Sequence, residues 1–515
     1  MIKAPTLAAC ATLLALAAAS IAPAAALETV GTGGTQATIA AAIAAVDNNG
    51  VVEIITAGTY TESLSLHSGP ANYTIRKAGS VVGTVTIEAP VDGLSSALVL
   101  SATATTDQTI AIEGLTIQRP LGIGPAVALN QSTTNTAVVT FNDCIIRATG
   151  VVNADRGEAL SVVAGGSAAV GPVTFTLNLN NSDLSTTSLK ADSKAALRIQ
   201  AATVTNFAVN STNTNYVSFH RAIRSDGGDN QNWNITGGTI TALTERAFQL
   251  NTSHASSTVS MTGVTIIAGE ECIHVDQAAT VTPNNKWTLN RCTFDNTANS
   301  AGVGDQTVRI TYGAATTSEL NVYNCLFLLA QGVSTTNFRG LNVAGFNSTG
   351  TGTQGLYIYN NTFVGGGTGS GAAVGGTTVE ANCWNNVALN LTGGDFIFGG
   401  SYSSGTLRAS GKNHIVGPSD DSTPPGTDRV YTVAAAGLAN ALTAAGLDSN
   451  YKPLSGSILI GAGAADFNSA GITTHTKTDI LSLVGSVDRT NIARSNPPDV
   501  GAFEDMASVY EWSMF

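Results

Sequence analysis

The chain has 515 residues, 35 acidic and 23 basic side chains, a formal net charge of −12 and 11% charged residues, less than half of the roughly 25% usual in soluble proteins. That balance argues against nucleic acid and anionic membrane as partners, since both are held by basic patches. Thr, Ser, Asn and Gly fill the surface role instead, which suits a sugar-rich or self-associating face.

Met1 to Ala26 carry a single Lys, a long Ala/Leu run and small residues at Ala24 and Ala26, the pattern of a secretory signal peptide rather than a membrane span. The mature protein is therefore expected to be secreted or on the cell surface. No later apolar stretch approaches the roughly 20 residues of a membrane helix, so no membrane span is expected. From Gly33 to Glu62 the text predicts a short helix with Ile39, Ile43 and Val46 on one face, stopped at Asn49 and Gly50 and followed by a first strand.

Ten segments then superimpose: IEGLTI, FNDCII, LNNSDL, VTNFAV, ITGGTI, MTGVTI, LNRCTF, VYNCLF, IYNNTF and CWNNVA. Their third residues are Gly114, Asp143, Asn181, Asn206, Gly237, Gly263, Arg291, Asn324, Asn360 and Asn385. Gly, Asn and Asp tolerate a left-handed backbone, so the column marks one tight turn per structural unit, with Arg291 the exception. Three residues later an apolar side chain always follows, from Ile117 to Ala388. A fixed turn and a fixed inward position repeated every few tens of residues predict a solenoid. Thr, Val, Ile, Phe and Asn in short alternating runs make its unit a strand.

A second ladder follows about ten residues after the first: PAVALN, EALSVV, AALRIQ, RAIRSD, RAFQLN, ECIHVD, QTVRIT and RGLNVA. Positions three and five, from Val127 and Leu129 to Leu341 and Val343, are apolar and point inward, with Ser225 the misfit. Positions two, four and six are expected to face solvent. Position two is small: Ala126, Ala159, Ala196, Ala222, Ala247, Cys272, Thr307, Gly340. Position four includes Arg198, Arg224, Gln249, His274, Arg309 and Asn342, and position six includes Asp226, Asn251 and Asp276. Arg221, Arg246, Glu271 and Arg339 stand at the strand start. In so uncharged a chain this is a concentrated strip.

Ser401 to Asp428 turn to Gly, Ser, Pro and Asp and read as a loop where the repeat stops. The chain ends in DMASVYEWSMF, whose Val509, Tyr510, Trp512, Met514 and Phe515 must pack on the chain, cover a helix end or meet another subunit. Apart from Cys10, five cysteines remain, an odd number. Cys292 and Cys325 share a column within disulfide reach, although buried thiols packing as small apolar residues are the favoured reading. No spacing suggests a zinc site, GGDN at Gly227 to Asn230 reads as a polar turn, and no cofactor is implied. Trp233, Trp287 and Trp384 read as packing residues.

These features resemble the right-handed parallel β-helix proteins of the pectin lyase-like superfamily. YNNTF at Tyr359 to Phe363 is similar to their asparagine turn, and the resemblance runs from Thr35 to Glu504. SILIGAGA at Ser457 to Ala464, Asp488, Arg489 and PPDVGAFE at Pro497 to Glu504 resemble a closing element of bacterial secreted members. The resemblance implies an all-β fold: a right-handed single-stranded parallel β-helix of roughly ten to thirteen coils with a short N-terminal capping helix. The expected divisions are 1–26 signal peptide, 27–400 β-helix with its cap, 401–428 loop, 429–504 closing element and 505–515 apolar tail. It also implies that the sheet reached after the turn and one further sheet lines a substrate groove, which is where the charged strip falls.

Arg198, Arg221, Arg246, Gln249, Asn251, Glu271, Arg339 and Asn342 are the candidate polysaccharide contacts, and Arg224, Asp226, His274, Asp276 and Arg309 the candidate catalytic groups. Guanidinium, imidazole and carboxylate groups at steps of about 4.8 Å can follow a sugar chain along the axis. His274 or Asp276 would serve as general base, with an Arg stabilising charge in a β-elimination. Alternatively Asp226 and Asp276, about 9.6 Å apart at the backbone, approach the carboxylate spacing of inverting glycosidases. The plainer reading pairs Arg with acid across coils simply to hold them together. The polygalacturonase motif set and a pectate-lyase calcium cluster are missing. Two functions remain open: a protein that binds polysaccharide, with cleavage by a lyase or hydrolase undecided, or a non-catalytic structural or adhesive surface protein that self-associates into filaments.

Overall fold

A computed structural model describes residues 26–504 apart from 92–94, 102–105, 121–123, 132–133, 150–156, 165–172, 188–194, 202–204, 228–229, 252–255, 277–284, 300–305, 313–317, 332–337, 345–354, 368–369, 378–379, 392–394, 398–405, 419–428, 464–486 and 496. The signal-peptide reading and the apolar tail, with any self-association through it, lie outside the described residues.

Alternating apolar and polar residues build three long sheets of 14, 12 and 14 strands. Each strand pairs in parallel with its counterpart one coil away, so the chain winds through sheet one, sheet three and sheet two in turn. The smallest sheet fixes twelve complete windings of a parallel β-helix. Inward side chains form one continuous core, in which Phe294, Phe327 and Phe363 stack with centroids 4.8 and 4.5 Å apart. The helix Ile39–Ala45 closes the N-terminal end with Ile39 and Ile43 buried. Thr38 caps it at Ala41 N, and Glu62 accepts Ile39 N and Ala40 N. Among the described residues no helix is long and apolar enough to cross a membrane.

Between sheets one and three the turn column has positive φ at Gly114, Asp143, Asn181, Gly237, Gly263, Arg291, Asn324, Asn360 and Asn385. Asn206 is a correction: it lies within the strand Thr205–Thr212, paired with Thr174 and Asn230. The left-handed residue of that coil is Asn213, at φ 49°, and Tyr216 takes the buried place three residues on. Lys412, at φ 56°, adds one more turn, followed by buried Ile415. Strands Thr406–Gly411 and Asn413–Gly417 continue the coil inside the stretch read as a loop.

Where the residue after the turn carries a side-chain donor, it is buried at a corner and donates to a carbonyl of an earlier strand. Thr214 Oγ1 reaches Leu179 O at 3.0 Å, Cys325 Sγ reaches Leu289 O at 3.4 Å and Asn386 Nδ2 reaches Ile358 O at 2.9 Å. Cys144, Cys292 and Cys325 are therefore interchangeable in role with Ser182, Thr214 and Asn361, and the five described cysteines are free and buried.

The segment from Val487 to Glu504 folds back along this corner rather than sitting on the end of the coil. Arg489 donates to Cys292 O and Thr293 Oγ1, Arg291 to Asn491 Oδ1, and Gly501 N to Asn385 O at 2.7 Å. The strap explains why one turn residue is Arg: its side chain is needed outside, where the strap passes.

Candidate functional site

Except for Arg246 and Glu271, which lie in the corners just before Phe248–Asn251 and Ile273–Asp276, the strip residues come from sheet two, and the register stacks them. Arg198, Arg224, Gln249, His274, Arg309 and Asn342 pair in sequence on consecutive strands. Gln200, Asp226, Asn251, Asp276 and Thr311 form the parallel column two residues on. The structure brings every candidate residue onto one wall.

Position two departs from expectation. Ala126, Ala159, Ala196, Ala222, Ala247, Cys272 and Thr307 are fully buried, not outward. Regular strand begins only at position three in coils such as Val127–Gln131 and Ile273–Asp276, so position two occupies the corner. Only small side chains fit there, and Cys272 Sγ donates to Ile266 O and Asp295 O, each at 3.4 Å. Ser225, the inward misfit, is buried and donates to Gln231 Oε1 at 3.0 Å, which also accepts Trp233 Nε1 at 2.9 Å.

The outward groups are bonded to one another. Asp226 accepts Arg224 Nε at 2.9 Å and Asn251 Nδ2 at 2.8 Å, and meets Arg198 at 3.5 Å, whose other partner is Glu158 at 3.3 Å. Arg221 pairs with Glu245 at 2.8 Å, and Arg246 with Glu270 at 3.0 Å and Glu271 at 3.1 Å. Glu271 also holds His274 Nδ1 and Gln306 Nε2. Arg309 meets Asp276 at 3.2 Å, while Arg339 donates to Asn342 and Asn342 to Gln306. Gln249 donates to Asn251 at 2.8 Å.

Burial sorts these groups chemically. Burial alone pushes the Glu271 carboxyl up, but its bond and attraction to His274, with Gln306 and Arg246, outweigh that and hold it below its ordinary value. Burial lowers Arg221 against the opposing pull of Glu245. His274 is 5% exposed, with its ring oriented by buried Glu271. Asp276 and Arg309 stand out, with side chains 56% and 32% exposed. That pair offers accessible oxygen and guanidinium atoms to a ligand, whereas Asp226 has its oxygens engaged by three donors.

Sequence reasoning missed Glu158, Glu245, Glu270, Gln306 and His220, the last 3.1 Å from Glu245. The signal was present: GEAL, TERAF and GEECI place an acid at or just before the start of a ladder strand. Neither a scan against protein-family models nor a search of curated proteins finds a match to this chain.

Proposed function

We propose that this is an exported, pectin lyase-like β-helix protein that binds polysaccharide along the charged face of sheet two. The observation that carries the reading is the exposed Arg309–Asp276 pair standing in register with Arg198, Arg224, His274 and Asn342. Carboxylates and guanidiniums fixed by each other present sugar hydroxyls with oriented acceptors and donors at coil spacing, with little entropy left to lose on binding. Binding without cleavage is the better fit. A base must be free to take a proton, and His274 and Asp226 are already engaged within the chain.

A second reading, a structural or adhesive surface protein, is favoured by the same ion pairs, which staple consecutive coils. Native electrophoresis through gels containing polygalacturonate or alginate separates the two. Retardation that Arg309→Ala and Asp276→Ala each abolish, with unchanged circular dichroism, supports binding. No retardation in any gel, together with ordered fibres in negative stain, supports the structural reading. Assays for unsaturated uronate and reducing-sugar release are expected to stay flat.

A further inference from the structure

The wall formed by sheet one carries a different surface. On strands Val173–Asn180, Thr205–Thr212, Asn230–Thr236 and Ser256–Thr262, four outward positions each make a block of sixteen. Every one is Thr, Ser or Asn except Ala208. The nearest outward charges in these columns are Glu113 on one side and Lys286 on the other. Exposed strands ordinarily carry Lys and Glu for solubility and against edge pairing, so sixteen uncharged short side chains form a stiff, flat face of unusual neutrality.

Ala208 lies in register between Thr176 and Asn232, with Thr258 next in the same column. Around Ala208 the face opens into a depression of about 290 Å³, rimmed by Thr176, Asn206, Asn230, Asn232 and Thr258. Neighbouring amides are fixed in orientation: Asn230 Nδ2 donates to Asn206 Oδ1 at 2.9 Å, and Ser256 Oγ to Asn230 Oδ1 at 2.6 Å. Asn210 donates to Asn178 and Asn178 to Thr140, at 2.9 and 3.0 Å. Among the described residues the Asn232 amide and the Thr176 and Thr258 hydroxyls have no hydrogen-bond partner, so they are available to a ligand.

We infer that this depression binds a neutral, hydroxyl-rich glycan, at a site separate from the charged strip. Alternating donors and acceptors with no formal charge match sugar hydroxyls and give a uronate or phosphate nothing to neutralise. A second copy of the chain is the poorer occupant. Four strands about 4.8 Å apart and seven residues of about 3.3 Å rise cover roughly 400 Å², half of the about 800 Å² per partner in a stable interface, and Ala208 is the one apolar side chain among its sixteen outward positions.

The test is affinity electrophoresis in gels containing mixed-linkage β-glucan, xyloglucan or dextran, compared with polygalacturonate. Retardation by at least one neutral glucan and none attributable to this face by polygalacturonate is expected. Ala208→Thr raises the floor of the depression with a good strand former and should weaken binding about tenfold, the equivalent of one or two lost hydrogen bonds. Asn232→Lys should do the same, while Arg309→Ala on the other wall leaves neutral binding intact and so separates this site from the strip. A wild-type protein passing unretarded through all three glucans overturns the inference, as does unchanged retardation of folded Ala208→Thr. A dimer in sedimentation that Ala208→Thr dissolves assigns the face to a second copy and overturns it equally.

Discussion

Arg494 donates from Nη2 to Asn324 Oδ1 across 2.6 Å, joining side chains 170 residues apart. Asn324 is a left-handed turn residue of the coil, and Arg494 belongs to the strap. The same guanidinium is fully buried against Glu504 at 2.6 Å. Glu504 in turn accepts Ser495 Oγ and Asp499 N, while Asp488 accepts Thr490 N, Ile492 N and Glu504 N. The strap is thus a compact polar knot anchored on the turn column.

Without Arg494 the buried Glu504 carboxyl, already raised to about 7, takes up a proton rather than standing as a bare charge, so the loss is that of charge-assisted hydrogen bonds, about 1.5–3 kcal/mol each. Arg494→Met is expected to free the strap in this way, making residues 487–504 sensitive to proteolysis while the coil's circular dichroism is retained. Asn324→Gly keeps the positive φ and loses the bond from Arg494 together with the longer ones from its own Nδ2 to Asn290 Oδ1 and Val487 O, a cost of about 1–2 kcal/mol. Equal proteolysis of both variants would show that the Arg494–Glu504 pair does not hold the strap.

Arg291 tests what the turn demands. At φ 56° it adopts a conformation that costs an ordinary L-residue about 1 kcal/mol or more, set against its bond to Asn491. Arg291→Gly relieves the backbone and drops the bond, so the net change in melting midpoint should be small. Arg291→Val loses the bond and places a β-branched residue at positive φ, a loss of about 2 kcal/mol. Equal midpoints for the two variants would contradict this account.

How much of this was legible follows from which constraints are local. A left-handed turn restricts residue type whatever surrounds it, so the column was readable, as was the two-residue period of the strip. Asn206 was misplaced because VTNFAV and the following NTNYV both satisfy the pattern, and only strand pairing selects Asn213. Turn residues are 24 apart from Asn213 to Gly237 but 38 apart from Asp143 to Asn181. The corners therefore vary in length, and acids such as Glu245 and Glu270 could not be assigned partners from text. Arg291 carried the only trace of the strap, and its reason lies 200 residues away.

In the strip, structural and binding roles predict different costs. Glu271→Ala strands His274 and part of Gln306 in a buried place and should cost about 1–3 kcal/mol. Arg309 and Asp276 are exposed enough that a double-mutant cycle on their pair should return at most about 1 kcal/mol of stability. Loss of glycan retardation in Asp276→Ala with an unchanged melting midpoint marks that pair as a contact. A coupling well above that bound, with retardation unaffected, marks it as a staple.

Two ends of the C-terminal region should respond to pH in opposite senses. Burial, with the charge of Lys412 added, depresses His414 to about 4 from an ordinary 6.5. The unfolded chain therefore binds the extra proton between those values, so His414 contributes stability above pH 6.5 that is lost as pH falls towards 4. A shift of this size corresponds to about 3 kcal/mol at most. Glu504 runs the other way. Burial raises it to about 7 against the pull of Arg494, so its contribution is fully present below about 4.5 and lost as pH rises through 7. Melting midpoints from pH 4 to pH 8 should show His414→Asn flattening the acid limb and Glu504→Gln flattening the limb between pH 4.5 and 7. Above pH 7 Glu504→Gln also weakens the strap, because Arg494 then faces an uncharged amide in place of a carboxylate. A His414→Asn profile that keeps the wild-type acid slope would place that slope on other groups.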